Sequence, residues 1–161
     1  MTSTAPTQLL DLAPILIIEE NEDHLALTLE VFEDASLSNP IHHFASTEEA
    51  LAHLKDCAPQ SSPGRNRLPC LILLSLHLPE RSGTEFLRQV KRHPALRAVP
   101  VIILTTSNDP HEITTAYRLG ADSYLVKPLQ FEEFYATVQQ TGHSWAILNH
   151  PHDPQAGRPS S

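Results

Sequence analysis

Three short apolar runs, rich in β-branched residues and uninterrupted by polar ones, constrain the fold of this chain more than any other feature. They cover residues 15–18, 71–74 and 101–104. Strand-length runs without polar alternation are typical of strands buried on both faces, so they predict inner strands of a parallel sheet between helices. Ile41–Phe44 and Ser123–Val126 are weaker strand candidates.

Helical patterns separate these strand candidates. Before the fifth one, Asp109 is a predicted N-cap, Pro110 fits the first helical turn and Glu112 is expected to complete a capping box. Gly120 is predicted to end that helix. Five successive β-α units follow, which predicts an α/β fold with a parallel sheet, helices on both faces and right-handed crossovers.

Charge and hydropathy exclude several classes of function. The net charge is -8 and no Lys- or Arg-rich cluster occurs, so we expect no nucleic-acid partner. The longest apolar runs fall far short of the roughly 20 residues that cross a bilayer, so no membrane span is expected. With no signal peptide visible, and with Cys57 and Cys70 expected to be reduced, a cytoplasmic location is predicted.

Reactive side chains follow the predicted strands at their carboxyl ends. Glu19 and Glu20 follow the first strand, Ser75 ends the third, Thr105 follows the fourth and Lys127 follows the fifth. In open parallel sheets ligands bind at this edge, so these groups are expected to converge on one site.

These blocks resemble the receiver domain of two-component response regulators over about residues 15–138. Glu19-Glu20 resembles the acidic pair of that family, Thr105 its hydroxyl position, Tyr124 its switch aromatic and Lys127-Pro128 its Lys-Pro block. The resemblance implies a flavodoxin-like (βα)5 doubly wound parallel sheet with strand order 2-1-3-4-5. A predicted extended C-terminal helix is similar to the regulators that accompany phytochrome-type histidine kinases, which implies such a kinase as partner.

Ser75 departs from the family pattern, because it stands where the resemblance implies the phospho-accepting aspartate. The implied metal ligands are Glu19, Glu20 and the backbone carbonyl of His77 together with that missing carboxylate. We therefore expect weak or absent Mg²⁺ binding, no other cofactor and no enzymatic activity. The sequence predicts a pseudo-receiver that acts by protein binding.

Other interpretations of the chain remain open at this point. Ser75 is either natural or an engineered replacement of the acceptor in a working phospho-accepting regulator, and Glu20 as a second, independent departure favours the natural origin. Phosphorylation of Ser75 by a Ser/Thr kinase is disfavoured by its place in a cleft. A flavodoxin-like cofactor binder is a third class, but Glu19 and Glu20 would repel a phosphate group there.

The predicted domain organisation has four parts. Residues 1–12 form a tail, 13–141 the receiver domain, 142–152 a C-terminal dimerisation arm and 153–161 a disordered tail. Trp145, Ile147 and Leu148 continue the apolar pattern beyond the expected end of the last helix. Because a monomer offers nothing obvious to bury them, we expect a constitutive homodimer.

Overall fold

The computed structural model describes residues 13–34, 37–57, 68–75 and 81–140, in which strands and helices alternate. The strands are β1 (Ile15–Glu19), β2 (Ile41–Phe44), β3 (Leu71–Ser75), β4 (Val101–Thr105) and β5 (Ser123–Val126). The helices are α1 (Glu22–Asp34), α2 (Thr47–Cys57), α3 (Arg81–Arg92), α4 (Pro110–Arg118) and α5 (Phe131–Gln140).

All five strands are parallel and lie in the order β2-β1-β3-β4-β5. Every residue of β1, β3 and β4 is buried, whereas β2 and β5 at the edges are partly exposed. The uninterrupted apolar runs are thus the three inner strands, as predicted. The flavodoxin-like fold and its strand order are confirmed.

The helices form two layers, one on each face of the sheet. On one face α1 and α5 cover side chains of β1, β3 and β4, and the rings of Phe32 and Phe134 lie 5.2 Å apart. On the other face α2, α3 and α4 pack over Leu16, Ile72 and Ile103. This arrangement leaves the carboxyl ends of the inner strands free of helices and open to form a site.

The ends of α4 agree in part with the sequence patterns. Asp109 is the N-cap, and its carboxylate accepts a hydrogen bond from the N–H of His111 at 3.0 Å. The predicted capping box is wrong. The N–H of Asp109 donates to Ser107 Oγ at 3.2 Å, and Glu112 Oε1 has no hydrogen-bond partner among the described residues. A shorter Ser-based turn therefore takes the place expected for the glutamate.

Gly120 follows α4 with a φ of 109°, as the predicted C-terminal glycine requires. A Cβ added at this position would lie 2.8 Å from Lys91 Cγ. The ammonium of Lys91 is itself fixed, because it donates to Val99 O at 2.9 Å and to Asp122 Oδ2 at 3.0 Å. Both the backbone conformation and the packing therefore demand glycine.

Several predicted segments lie outside the described residues. They are the tail 1–12, the arm 142–152 with Trp145, Ile147 and Leu148, and the tail 153–161. The predicted extension of the last helix falls there too, since α5 is described as far as Gln140. Within the described part of the chain, no helix combines the length and the apolar character needed to cross a membrane.

Candidate functional site

The carboxyl ends of β1, β3 and β4 bring three polar side chains into the protein interior. Glu19 and Ser75 are register partners at the ends of adjacent strands, and Thr105 ends β4 beside them. Their exposed fractions are 3%, 5% and 3% respectively. Polar groups buried so deeply require partners, which these residues find in one another and in the neighbouring loops.

The carboxylate of Glu19 is the centre of this site, and both of its oxygens accept hydrogen bonds. Oε1 accepts from Ser75 Oγ at 2.5 Å and from the ammonium of Lys127 at 2.8 Å. Oε2 accepts from the backbone N–H of Asn21 at 3.1 Å. A buried negative charge is thereby compensated by one partly buried positive charge and two neutral donors.

Lys127 follows β5 and connects the site to α1. Its backbone N–H donates to Thr105 O at 2.7 Å, which fixes the chain after the strand. Its ammonium lies 2.8 Å from Glu19 Oε1 and 2.8 Å from His24 Nδ1. The peptide bond between Lys127 and Pro128 is cis. Glu19, His24 and Ser75 thus form a continuous hydrogen-bonded chain with this lysine.

His24 and His43 belong to the site but were not among the predicted residues. Asn21 Oδ1 accepts from the N–H groups of Asp23 and His24 and so caps α1, which places His24 in the first helical turn facing Lys127. An Asn just before an acidic first turn is the sequence signal that could have located this cap. His43 Nε2 lies 2.8 Å from the backbone oxygen of Glu19.

Thr105 and Tyr124 lie beside the hydrogen-bonded chain of the site. Among the described residues, neither side chain bonds directly to Glu19, Ser75 or Lys127. Thr105 Oγ1 accepts from the N–H of Ser107 at 3.3 Å, and the hydroxyl of Tyr124 donates to Ser107 O at 2.7 Å. Burial, together with the negative charge of Glu112, raises the pKa of Tyr124 above its usual value. The phenol therefore stays protonated and keeps this bond over the physiological pH range.

Two predicted metal ligands remain, Glu20 and the backbone carbonyl of His77. Glu20 is exposed, and His77 lies outside the described residues. No group of three or more His, Cys, Asp and Glu side chains in the described ranges is arranged to hold a metal ion. Mg²⁺ prefers several hard oxygen ligands in octahedral geometry. Glu19 already uses both oxygens and Ser75 offers only a neutral hydroxyl, so these residues do not fit a divalent cation.

A mostly apolar groove of about 310 Å³ opens beside the site, between α1 and the loop after β5. Leu27 is an exposed apolar side chain of this groove, with 53% of its surface accessible. Pro128 and Leu129 also line it, together with His24 and Lys127 of the hydrogen-bonded chain. The groove is therefore continuous with the buried hydrogen-bonded chain. Its full lining is His24, Leu27, Thr28, Thr106, Lys127, Pro128 and Leu129.

Comparison with known proteins identifies the kind of domain that carries this site. Residues 15–139 match the family described as response regulator receiver domain. The probable methanogenesis regulatory protein FilR2 of Methanothrix harundinacea is 36% identical over 140 residues, which cover 87% of this chain and 88% of that protein.

Solved structures give the same result. The bacteriophytochrome response regulator AtBRR matches with a TM-score of 0.73 at 35% identity, covering 87% of this chain and 99% of that one. The phosphorylated cyanobacterial phytochrome response regulator RcpA matches with a TM-score of 0.63 at 26% identity, covering 83% and 93%.

Proposed function

This chain belongs to the response regulator receiver family, and on that premise we propose that it is a pseudo-receiver in phytochrome-linked two-component signalling. It binds a histidine kinase and a second copy of itself, and it does not accept a phosphoryl group. The similarity to AtBRR and RcpA supports the link to phytochromes. The contacts of Ser75 support the loss of phosphorylation.

The single observation that carries this proposal is the hydrogen bond from Ser75 to Glu19, whose same oxygen binds Lys127. A serine hydroxyl is a weak nucleophile unless a base removes its proton. Glu19 is the only described group bonded to that hydroxyl, and taking the proton would neutralise the partner of the partly buried Lys127 ammonium. The buried ion pair thus opposes the proton transfer that phosphorylation of Ser75 needs.

Incubation with acetyl phosphate and Mg²⁺, followed by intact-mass spectrometry, tests this part of the proposal. We expect no mass increase, whereas RcpA, which has been solved in a phosphorylated form, serves as the positive control. A stable adduct of about 80 Da, one phosphoryl group, on the wild-type chain would refute it.

The variant Ser75→Asp is a companion test of what the serine has removed. It places a second carboxylate next to Glu19, where like charges repel unless a cation compensates them. We expect Mg²⁺ to stabilise this variant against thermal unfolding and to leave the wild type unchanged. No stabilisation of the variant would mean that the exposed position of Glu20, or the loop after β3, also prevents metal binding.

The groove beside Lys127 supports docking of a helical kinase domain on α1 and the loop after β5. Its exposed Leu27 and its apolar wall are the features that protein partners cover. We expect amide resonances of residues 21–29 and 127–131 to broaden when the helical domain of a phytochrome-type kinase is added. Broadening confined to α3 and α4 would contradict this docking site.

Homodimerisation is proposed to use the segment after α5, residues 142–152. Burying Trp145, Ile147 and Leu148 against a partner would stabilise a dimer by roughly 1.5–3 kcal/mol for each side chain. Sedimentation of the full chain and of a chain ending at Thr141 separates the possibilities. At micromolar concentration we expect the full chain to sediment as a dimer and the shortened chain as a monomer. Two monomers or two dimers would reject the role of this segment.

A further inference from the structure

The two helical layers differ sharply in charge. Helices α1 and α5 carry seven carboxylates and no Lys or Arg, whereas α2, α3 and α4 together carry five carboxylates and six Lys or Arg residues. All seven carboxylates of the first layer are exposed. They are Glu22, Asp23, Glu30, Glu33, Asp34, Glu132 and Glu133. Among the described helices, the α1–α5 layer is therefore strongly acidic and the opposite layer is close to neutral.

The apolar groove opens within this acidic layer. Asp23 and Glu30 are four residues before and three residues after Leu27, so both flank it on the surface of α1. Among the described residues that line the groove, Lys127 is the one Lys or Arg, and its charge is already paired with buried Glu19. Asp23 and Glu30 form no ion pair within the described part of the chain. Leu27 is thus an exposed apolar side chain flanked by two carboxylates, and protein partners commonly cover apolar surface that is rimmed by polar groups.

We propose that the α1–α5 layer is a docking surface for a cationic helical surface of another protein, one of whose apolar side chains enters the groove at Leu27. The inference rests on the proposed docking of a kinase and adds the chemistry of the partner. Like charges exclude a second copy of this layer, a nucleic acid and an anionic membrane. Opposite charge on the partner accelerates encounter and fixes its orientation.

A matched pair of charge reversals tests the proposal in the full-length chain. Asp23 and Glu48 are each the second residue of a helix, α1 and α2, and both are exposed. Asp23→Lys and Glu48→Lys therefore change the net charge and the helix dipole interaction equally. Binding of the helical domain of a phytochrome-type kinase is measured by calorimetry at low salt and at ~0.5 M salt.

We expect Asp23→Lys to weaken binding by about three- to tenfold at low salt, and less at high salt, since screening shortens the reach of surface charges. Glu48→Lys should change the dissociation constant by less than about twofold. Leu27→Ala should weaken binding at both salt concentrations, because the groove contact is apolar. The inference would be overturned if both charge reversals changed the dissociation constant equally, or if neither changed it. Either result would leave the proposed docking of a kinase intact.

A second probe decides the case in which the kinase domain does not bind. It is a synthetic amphipathic helix of about five turns with Leu on one face and Lys on the other, paired with a Glu-for-Lys version. Amide shifts confined to α1, α5 and the loop after β5, seen with the Lys peptide alone, would support the inference although kinase docking had failed. Shifts spread over both layers, or no binding, would overturn it.

Discussion

Replacing Lys127 with methionine removes the cation that compensates buried Glu19, and it tests the electrostatic balance of the site. Methionine keeps a flexible apolar stem of similar length but brings no charge. Glu19 is then left with two neutral donors, the hydroxyl of Ser75 and the N–H of Asn21. His24 Nδ1 also loses the ammonium that lies 2.8 Å away.

The size of the effect follows from burial. Breaking a fully buried ion pair by removing one partner costs about 3–5 kcal/mol. Here the side chain of Lys127 is 13% exposed, against 3% for Glu19, and the carboxylate keeps two hydrogen bonds. Both features reduce the penalty, so we expect Lys127→Met to lower the free energy of unfolding by about 2–3 kcal/mol.

Urea unfolding followed by circular dichroism measures this loss, with an unchanged m-value as the sign of a native fold. Arg88→Met is the matched control, because Arg88 pairs with Glu85 on the surface and its loss should cost under about 0.5 kcal/mol. Adding Glu19→Gln to Lys127→Met should recover more than half of the loss. If Lys127→Met costs no more than Arg88→Met, or if Glu19→Gln destabilises it further, the proposed electrostatic role is refuted.

Three further predictions concern the scaffold. Burial lowers the pKa of His53, so the folded state favours its neutral form. The free energy of unfolding should therefore fall as pH drops below about 6.5. In urea titrations at several pH values, His53→Gln should reduce this dependence of stability on pH. An equal slope in the variant would contradict this. Gly120→Ala should cost about 1–3 kcal/mol in thermal unfolding, because of its φ of 109° and its approach to Lys91; a neutral effect would contradict the strain. Asp109→Ala should cost about 1 kcal/mol by removing the cap on His111 N–H, and Asp109→Asn should recover most of it.

Much of the fold could be predicted because burial leaves a direct trace in the sequence. Strands β1, β3 and β4 are covered on both faces, so they contain no polar alternation to confuse with a loop. The edge strands β2 and β5 gave weaker signals because each is partly exposed and carries polar residues such as His43 and Ser123. Strand order has no local signature, and it was available only through the family resemblance.

Part of the candidate site could likewise be predicted from the sequence, and part of it could not. Glu19, Ser75 and Lys127 were predicted because strand ends in a parallel sheet must meet at one edge. His24 was missed because its role depends on the direction in which α1 leaves the strand, which the Asn21 cap sets. The capping role given to Glu112 was wrong because Ser107, two residues before the N-cap, offers a closer acceptor. Residue spacing alone does not predict which of two side chains, Ser107 or Glu112, accepts the hydrogen bond from the N–H of Asp109.

The sequence distance across the central ion pair has a consequence for how the protein folds during synthesis. Ser75 lies 56 residues after Glu19, and Lys127 lies 108 residues after it. A nascent chain can therefore assemble β1, β2 and β3 and enclose the carboxylate before its cation has been made. The partly formed sheet then carries the uncompensated charge of Glu19 until β5 pairs at its edge. Contacts of such high sequence separation form late, so the lysine should slow unfolding far more than it accelerates folding.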